Sequence, residues 1–310
     1  METKEPLKNK IDFAVILSVN KANPNGDPLS GNRPRTDYEG YGELSDVCIK
    51  RKIRNRLLQR YDALKGKEKE GQAVFVQSDD NKLDEYPSLK SRAVGILGKD
   101  ILKDGKKLFE KASKEWIDVR SFGQVFAYGG EKGEDEKKGE GVSVGIRGPV
   151  SVHPAFSVAS VNDRVASIQI TKSVSGEGEG KKKASDTMGM KHRVNHGVYV
   201  FYGSINPQLA SKTLFSEEDA KAIKEALRTL FVNDESSARP AGTMEVNKLF
   251  WWEQKQGEKQ YSSAKVHRTV RDKVKQNKEE PKSINDYYVP EKSEIENELP
   301  GLKVEIIEGE

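Results

Sequence analysis

Residues 11–20 read IDFAVILSVN, and this stretch predicts the central strand of the fold. Ile11, Phe13, Val15, Leu17 and Val19 alternate along it, and the positions between them include an alanine and a second isoleucine. Apolar side chains on both faces predict a buried strand at the centre of a sheet. The strand leads directly into KANPNGDPLSGNRPR, whose three prolines each fix φ and lack a backbone donor. We expect a long, shaped loop there.

The rest of the pattern predicts an α+β fold. Ser45 is placed to cap a helix that runs to about Leu64, because apolar residues recur there at helical spacing. Further helices are predicted within 87–116 and at 216–231, and further strands at 73–77, 117–128, 142–152, 165–174, 197–205, 243–253, 266–271 and 302–307. This order is consistent with a β-α-β-β-α-β ferredoxin-like sheet that carries insertions.

The composition indicates a folded core with long charged excursions. The 310 residues are 35 % hydrophobic and 33 % charged, with a mean hydropathy of -0.76. No apolar run approaches the roughly 20 residues of a membrane helix, and the first residues contain no apolar signal segment. Cys48 is the single cysteine, which excludes a disulfide framework and multi-cysteine zinc sites. We expect a cytoplasmic protein with no membrane partner, cofactor or metal.

The net charge of +4 is unevenly distributed. Residues 291–310 carry seven Glu and two Lys, so the preceding residues hold a net charge of +9. A basic body with an acidic tail suggests a polyanionic partner. Ordinary charge scatter is the alternative, and composition alone does not separate the two.

The densest basic cluster lies on the first helix, SDVCIKRKIRNRLLQR. Lys50, Arg51 and Arg54 share one of its faces, and Asp46 is the only acidic residue within it. Such a face suits a phosphate backbone, because each contact releases condensed counterions. The alternative is a solvated helix face; we favour phosphate binding because we expect no i,i+4 pairs to neutralise the cations.

The loop NPNGDPLSGNRPR carries a second cluster. Asn23, Asn25 and Asn32 can donate to and accept from base edges or 2′-hydroxyls, while Arg33 and Arg35 add positive charge. The alternative is a rigid structural turn. The two interpretations are compatible, since a rigid loop also fixes the positions of its side chains.

A third cluster lies at residues 174–197, within a Gly- and Lys-rich hairpin. Met188 and Met190 stand beside Lys191, His192 and Arg193 in a segment too polar to form core. An exposed apolar tip flanked by cations suits insertion between stacked bases. The alternative is that the methionines fold back onto the core.

Isolated polar residues also interrupt the predicted strands. A sheet face that carries such residues can track a single RNA strand. The residues are Arg120, Ser121, Gln124, Arg147, Lys172 and Ser173. Catalytic patterns are weaker: the sequence has no HExxH, GxSxG or phosphate-loop lysine motif, and we identify no catalytic residue.

The motifs taken in series resemble a known family. The segments are DFAVILSV, ANPNGDPL, DVCIKRKIRNR, FVQSDD, DVRSFGQVFA, VGIRGPVSV, ITKSV, TMGMKHRVNHGVYVFYGSIN and SSARPAGTMEV. Over about residues 10 to 270 the chain is similar to the CRISPR Cascade backbone subunit, the Cas-seven family of the RAMP superfamily. NPNGDP is typical of subtypes I-B and I-C, and its combination with RSFGQVFA and TMGMKH indicates I-C.

This resemblance implies one domain over residues 1–310, a modified RNA-recognition-motif palm with long insertions. Finger or loop insertions would lie at about 79–116 and 129–141, a thumb hairpin at 174–197 and a charged C-terminal segment at 272–310. Copies would stack head to tail along one CRISPR RNA, and each thumb would kink out a base. The other bases would stay open to the target DNA strand, while other Cascade subunits complete the complex and recruit a nuclease-helicase.

The resemblance also leaves an enzymatic alternative. Backbone subunits of type I systems are not known as nucleases. Type III relatives cut target RNA with an aspartate in the loop after the first strand, where Asp27 lies here. The alternative is therefore a metal-dependent RNA endonuclease that uses Asp27.

Overall fold

The computed structural model describes residues 5–128, 142–172 and 187–310. The strands of this part are β1 (Lys10–Ala22), β2 (Gly26–Asp27), β3 (Arg33–Pro34), β4 (Tyr41–Leu44), β5 (Gln124–Tyr128), β6 (Val142–Ile146), β7 (Val150–Val152), β8 (Ala155–Ser160), β9 (Val165–Lys172), β10 (Thr187–Ile205), β11 (Met244–Gln254), β12 (Lys275–Gln276), β13 (Tyr287–Tyr288) and β14 (Val304–Glu308). The helices are α1 (Asp46–Ala63), α2 (Leu89–Leu97), α3 (Gly105–Glu115), α4 (Ile117–Phe122), α5 (Pro207–Thr213), α6 (Glu217–Arg228), α7 (Ser263–Arg271) and α8 (Lys292–Glu298).

β1 is the central strand, as the sequence predicts. Every residue from Ile11 to Val19 is buried, and the strand pairs antiparallel with β10 on one side and β11 on the other. The sheet continues outward in the order β14-β11-β1-β10-β8-β4, with β7 and β9 also pairing along the long β10. The fold is therefore a mixed one, with helices arranged around a central antiparallel sheet.

Two helical layers cover the two faces of this sheet. Phe13 and Val15 of β1 share one apolar cluster with Ile53 of α1 and Ile223 of α6. Ile16 and its same-face neighbours belong to a second cluster, which includes residues of α7 and α8. The alternation of side chains along a strand thus supplies both cores from one segment.

The C-terminal segment forms part of the second core. Ile295 of α8 is fully buried, and β14 adds to the sheet edge beside β11. Its acidic side chains meet cations of the body: Arg228 lies 3.0 Å from Glu310, and Lys248 lies 3.0 Å from Glu308. The acidic tail seen in the composition is therefore matched to the basic body within the fold.

A third apolar cluster lies apart from the sheet, within residues 73–146. The Phe75 ring lies 4.4 Å from that of Trp116 and 5.2 Å from that of Phe126, which joins α3 to the hairpin of β5 and β6. The helical prediction for 87–116 is confirmed as α2 and α3. Residues 129–141, predicted as an insertion, fall outside the described residues.

Two predicted strands, 73–77 and 266–271, are wrong, and the predicted strand 117–128 is confirmed only from Gln124 onward, as β5. Residues 73–77 form no strand, because the N–H groups of Phe75 and Val76 donate to the Asp118 carboxylate instead of to a neighbouring strand. Residues 117–122 form α4, and 266–271 belong to α7, which Ser262 caps. These apolar runs are short, and a short run buried on several sides does not distinguish a helix from a strand. The strands β4 and β8 were not predicted.

The predicted RNA contacts at Arg120 and Ser121 are also wrong. Both lie in α4 and are buried, and the Arg120 guanidinium donates to both carboxylate oxygens of Asp219, at 2.9 and 2.7 Å. Ser121 Oγ donates to the Ile117 carbonyl at 2.6 Å. Asp219 also accepts from the Ser216 N–H, which completes the capping box of α6. The ion pair thus fixes α4 against the start of α6.

Asp219→Ala should destabilise the protein by about 3–5 kcal/mol, because it leaves a buried guanidinium without its carboxylate. Urea denaturation followed by circular dichroism measures this. Glu217→Ala, an exposed change in the same helical turn, should cost less than about 0.5 kcal/mol. Equal effects of the two changes would contradict a structural role for the pair.

The Arg120–Asp219 pair should also make the free energy of unfolding depend on pH in the acid range. Burial alone would raise the pKa of Asp219, but the Arg120 guanidinium outweighs it and holds this pKa below its usual value. The contribution is therefore present above the unfolded-state pKa of about 3.9 and is lost as the pH falls through the lower folded value. Asp219→Asn should flatten that part of the profile.

Candidate nucleic-acid interface

The candidate interface lies where β1 ends, and we call it the junction. It consists of the loop after β1 (residues 23–35), the loop after α6 (233–243) and the part of β10 at 191–193. The Asn23 N–H donates to the Ala238 carbonyl at 2.9 Å, and Lys191 Nζ donates to the Ser237 carbonyl. β3 packs against β10. Three segments distant in sequence therefore meet at one end of the sheet.

The asparagines of the first loop hold its shape. Asn23 is buried and donates through Nδ2 to the Asn32 carbonyl at 2.7 Å. Asn25 Oδ1 accepts from the Ser45 N–H at 2.9 Å, which ties the loop to the start of α1. A Cβ at Gly26 would lie 1.9 Å from Asn32 Oδ1, so a larger residue at this position would force the Asn32 side chain to move. The rigid-turn interpretation of the loop is confirmed, and a role of its asparagines in RNA contact stays a prediction.

Asp27 is engaged in this loop as a cap. Its carboxylate accepts from the Leu29 N–H at 3.2 Å and from Ser30 Oγ at 2.8 Å, and it lies 3.7 Å from the Arg35 guanidinium. These hydrogen bonds hold the pKa of Asp27 below its ordinary value. Arg33 is exposed beside it. No group of three or more His, Cys, Asp or Glu side chains within the described ranges is placed to hold a metal ion.

The basic face of α1 is more strongly paired than the sequence suggests. Lys50 lies 2.9 Å from Asp46 one turn earlier, so the expectation that no i,i+4 pair forms is wrong. Arg51 donates to the Val76 carbonyl at 2.8 Å, and Arg54 donates to Asp118 at 2.9 Å. These side chains join α1 to the third apolar cluster. Lys50, Arg51 and Arg54 keep further N–H donors beyond these bonds. Contact between those donors and phosphates stays a prediction.

A buried ion network under the junction was missed by sequence reasoning. Lys52 on α1 pairs with Asp234, which also lies 3.1 Å from Arg239. Lys52 is 3 % exposed, and a buried ammonium needs such a partner. The segment SSARPAGTMEV contributes to the family resemblance, but nothing in the sequence shows that it packs on α1.

The hairpin of β9 and β10 carries the predicted thumb residues. Met190 lies opposite Gln169 and Lys191 opposite Ile168, so the register places the methionines and the cations on opposite faces. Met188 is 62 % exposed and Met190 is 55 % exposed, which confirms that they do not fold back onto the core. Residues 173–186, with Ser173 and the lysine-rich stretch, fall outside the described residues.

The histidines of β10 lie on the methionine face. His192 Nδ1 is hydrogen-bonded to Ser167 Oγ at 2.7 Å. His196 is buried at the base of the hairpin, with Nδ1 2.6 Å from Asn20 Oδ1. Burial lowers the pKa of His196, and the nearby Arg164 lowers it further. His196 therefore stays neutral at pH 7 and fixes the hairpin to β1.

The predicted continuous sheet face does not form. Gln124 begins β5, in the separate two-stranded sheet of β5 and β6. Arg147 is exposed and directly follows β6. Lys172 ends β9, in the hairpin. The face of the central sheet opposite α1 is largely covered by α7 and α8. With Arg120 and Ser121 in α4, the described residues of this set therefore lie on three different parts of the molecule.

Three buried polar atoms of the junction have no hydrogen-bond partner among the described residues. They are Asn23 Oδ1, Arg35 Nε and Arg193 Nε. A buried donor without a partner costs roughly 1–3 kcal/mol, so such groups are rare in the absence of a ligand or water. Two of the three are guanidinium donors, whose best acceptors are phosphate or carboxylate oxygens.

The family model described as CRISPR-associated protein Cas7 matches residues 9–291. The chain belongs to the Cas7 family. A CRISPR-associated protein Cas7 of Haloferax volcanii is 26 % identical over 222 residues, which cover 69 % of this chain. The match spans only 62 % of the length of that relative.

Solved structures similar to this Cas7 protein include two chains of CRISPR RNA-guided surveillance complexes. One, in a pre-nicking state, has 14 % identity and a TM-score of 0.47 and covers 93 % of this chain and 87 % of its own. The other has 17 % identity and a TM-score of 0.43, with 83 % and 73 % covered. None of the helices in the described part of the Cas7 chain combines the length and apolar character that crossing a membrane requires.

Proposed function

We propose that this Cas7 protein binds CRISPR RNA as the backbone subunit of a type I-C Cascade and presents the RNA to the target DNA strand. The observation that carries the proposal is the junction, where Arg35 and Arg193 hold buried guanidinium donors without partners. Phosphate is a suitable acceptor for either guanidinium, and the exposed Arg33 adds positive charge to the same loop as Arg35. The motifs NPNGDP, RSFGQVFA and TMGMKH support subtype I-C.

In this proposal the central sheet is a modified RNA-recognition-motif palm. Its strand order β11-β1-β10-β8, with α1 after β1 and α6 before β11, supports the assignment. The third apolar cluster and its loops act as fingers, and the hairpin of β9 and β10 acts as the thumb. The palm binds guide phosphates at the junction, and the thumb crosses the guide.

The subunits associate head to tail along the guide and contact the other Cascade subunits, which recruit the nuclease-helicase. A head-to-tail interface that does not close makes an open filament, whose length is limited by the RNA. The subunit itself is non-catalytic in this proposal. It works in the cytoplasm, where CRISPR RNA is present.

Guide binding should weaken steeply with salt, since each phosphate contact contributes about 0.7 to the log–log slope for single strands. Arg35→Ala and Arg193→Ala should each lower the slope by about that amount in titrations of guide RNA at several KCl concentrations. Arg228→Ala is the matched control, because the Arg228 guanidinium is already paired to Glu225 and Glu310 at the end of α6. Slopes unchanged in both junction variants would contradict phosphate binding there.

Met188→Ala combined with Met190→Ala should leave the melting temperature within about 2 °C, since both side chains are mostly exposed. In our proposal the methionines wedge at a base step, so chemical probing of the bound guide should lose its periodic reactivity. Met244→Ala is the control, a core truncation expected to cost about 2–5 kcal/mol with the reactivity pattern intact. A destabilised double variant that keeps the pattern would contradict the wedge.

The enzymatic alternative is tested separately. Purified complex incubated with labelled complementary RNA and Mg²⁺ should not cleave it, because Asp27 caps its own loop. Cleavage that Asp27→Asn abolishes would establish the alternative. Asp37→Asn serves as the control, because Asp37 likewise accepts backbone N–H bonds in the next turn, from Glu39 and Tyr41.

A further inference from the structure

A cavity of about 550 Å³ lies far from the junction, between β8, β10 and α7. Its volume falls within the roughly 300–1,000 Å³ of ordinary ligand pockets. Phe156 of β8, Tyr202 of β10 and His267 of α7 line it. At about 3.3 Å per residue, Tyr202 lies on the order of 40 Å along β10 from Met190. The cavity is therefore separate from both the junction and the thumb tip.

Aromatic rings form one wall of this cavity. The His153 ring lies edge-on to His267, with centroids 5.8 Å apart and planes at 87°, and the Tyr202 ring lies 5.1 Å from that of His267. Phe156 is 41 % exposed beside them. Unstacked bases bind to aromatic side chains of this kind, because every base has a π-face.

The His267 ring is held in place from behind. Its Nε2 donates to the Gly203 carbonyl at 3.1 Å and lies 3.7 Å from Asp12 Oδ1, a buried atom with no hydrogen-bond partner among the described residues. The other oxygen of Asp12 lies 3.1 Å from Lys10 Nζ and accepts from Gln254. A nearby carboxylate favours the charged ring, but burial has the larger effect and lowers the pKa of His267. At neutral pH the ring is neutral and aromatic.

The polar groups of the lining favour an anionic ligand. The lining residues include Ser204, Ser263 and Arg271 and no Asp or Glu. Arg271 Nε donates to Asp272 at 2.9 Å, and the terminal guanidinium nitrogens remain as donors. A protein partner with an apolar side chain would use neither the serines nor the guanidinium. A nucleotide would use the rings for its base and Arg271 for its phosphate.

We propose that this cavity binds one unstacked nucleobase of a single-stranded RNA, with Arg271 contacting the adjacent phosphate. In this proposal the cavity is a second RNA contact. It lies on the sheet face opposite α1, where α7 does not cover β8 and β10. The proposal rests on the proposed function, because it takes the bound strand to be the RNA that the protein carries. The two can fail separately.

Photo-crosslinking tests the site in the assembled complex. Guide RNA with 4-thiouridine in place of uridine is bound, irradiated and mapped by mass spectrometry of the protein. We expect adducts on peptides of β8 or β10 near Phe156 and Tyr202. Tyr202→Leu should lower their yield by roughly 5- to 150-fold, the range for loss of one stacked base. Tyr61→Leu, a half-exposed tyrosine on α1 beyond the opposite sheet face, should leave the yield unchanged.

Phe156→Leu provides a second variant in case Tyr202→Leu fails to fold, and it should lower the yield in the same way. A guide-bearing complex without adducts at this cavity, or with adducts that neither change affects, would overturn the proposal. Protection of the cavity from hydroxyl-radical labelling by a second copy of the chain without RNA would also overturn it, since the occupant would then be protein.

Titration of the RNA-free protein with uridine and adenosine monophosphates separates the two proposals. The His153 and His267 imidazole resonances should shift and saturate, and the shift should disappear in Tyr202→Leu. A protein that shows this shift but retains no guide RNA would support nucleotide binding in the cavity and contradict the proposed function. A protein that retains guide RNA without any shift or adduct would contradict nucleotide binding in the cavity and leave the proposed function supported.

Discussion

The burial of β1 on both faces determines how the other elements of the fold are arranged. A strand whose residues Ile11 to Val19 expose nothing to water requires a layer of side chains above it and another below. The helices α1 and α6 supply one layer, and α7 and α8 supply the other. The middle of the sheet is thereby closed to ligands. The parts of the sheet that stay open are the end of β1, where the junction lies, and the cavity between β8, β10 and α7.

Local signals explain which elements could be predicted from the sequence. The alternation in β1 and the Ser45 cap of α1 are each complete within a few residues, and each is confirmed. The helix predicted at 216–231 likewise begins at a local capping box, formed by Ser216 and Asp219. The elements that failed depend on distant partners. Residues 73–77 look like a strand, but Asp118 takes the N–H bonds that a neighbouring strand would take. The sequence near residue 73 gives no indication that the Asp118 carboxylate lies beside it in the fold.

The same distinction applies to the candidate site. A sequence shows where cations stand, but it does not show which carboxylate each one meets. Arg120 is paired with a residue 99 positions later, and Lys52 with one 182 positions later, so both count as structural. Arg35 and Arg193 look no different in the sequence, yet each keeps a buried donor without a partner. Arg35 also lies 3.7 Å from Asp27, so pairing alone does not separate structural cations from those left for a ligand. The donors that each guanidinium leaves unused make the difference, and they are visible only in the tertiary structure.

The geometry of the hairpin of β9 and β10, the proposed thumb, limits how a bound strand can meet it. Side chains alternate along β10, so Met190 and Lys191 cannot touch the same side of a nucleic acid lying on one face. Lys191 donates to the Ser237 carbonyl, so the cationic face is turned toward the junction and the methionine face is turned away. A strand whose phosphates are held at the junction meets the cations first. The strand reaches the methionines only where it crosses from one face of the hairpin to the other. A base step that opens at this crossing is the place where a methionine side chain would insert.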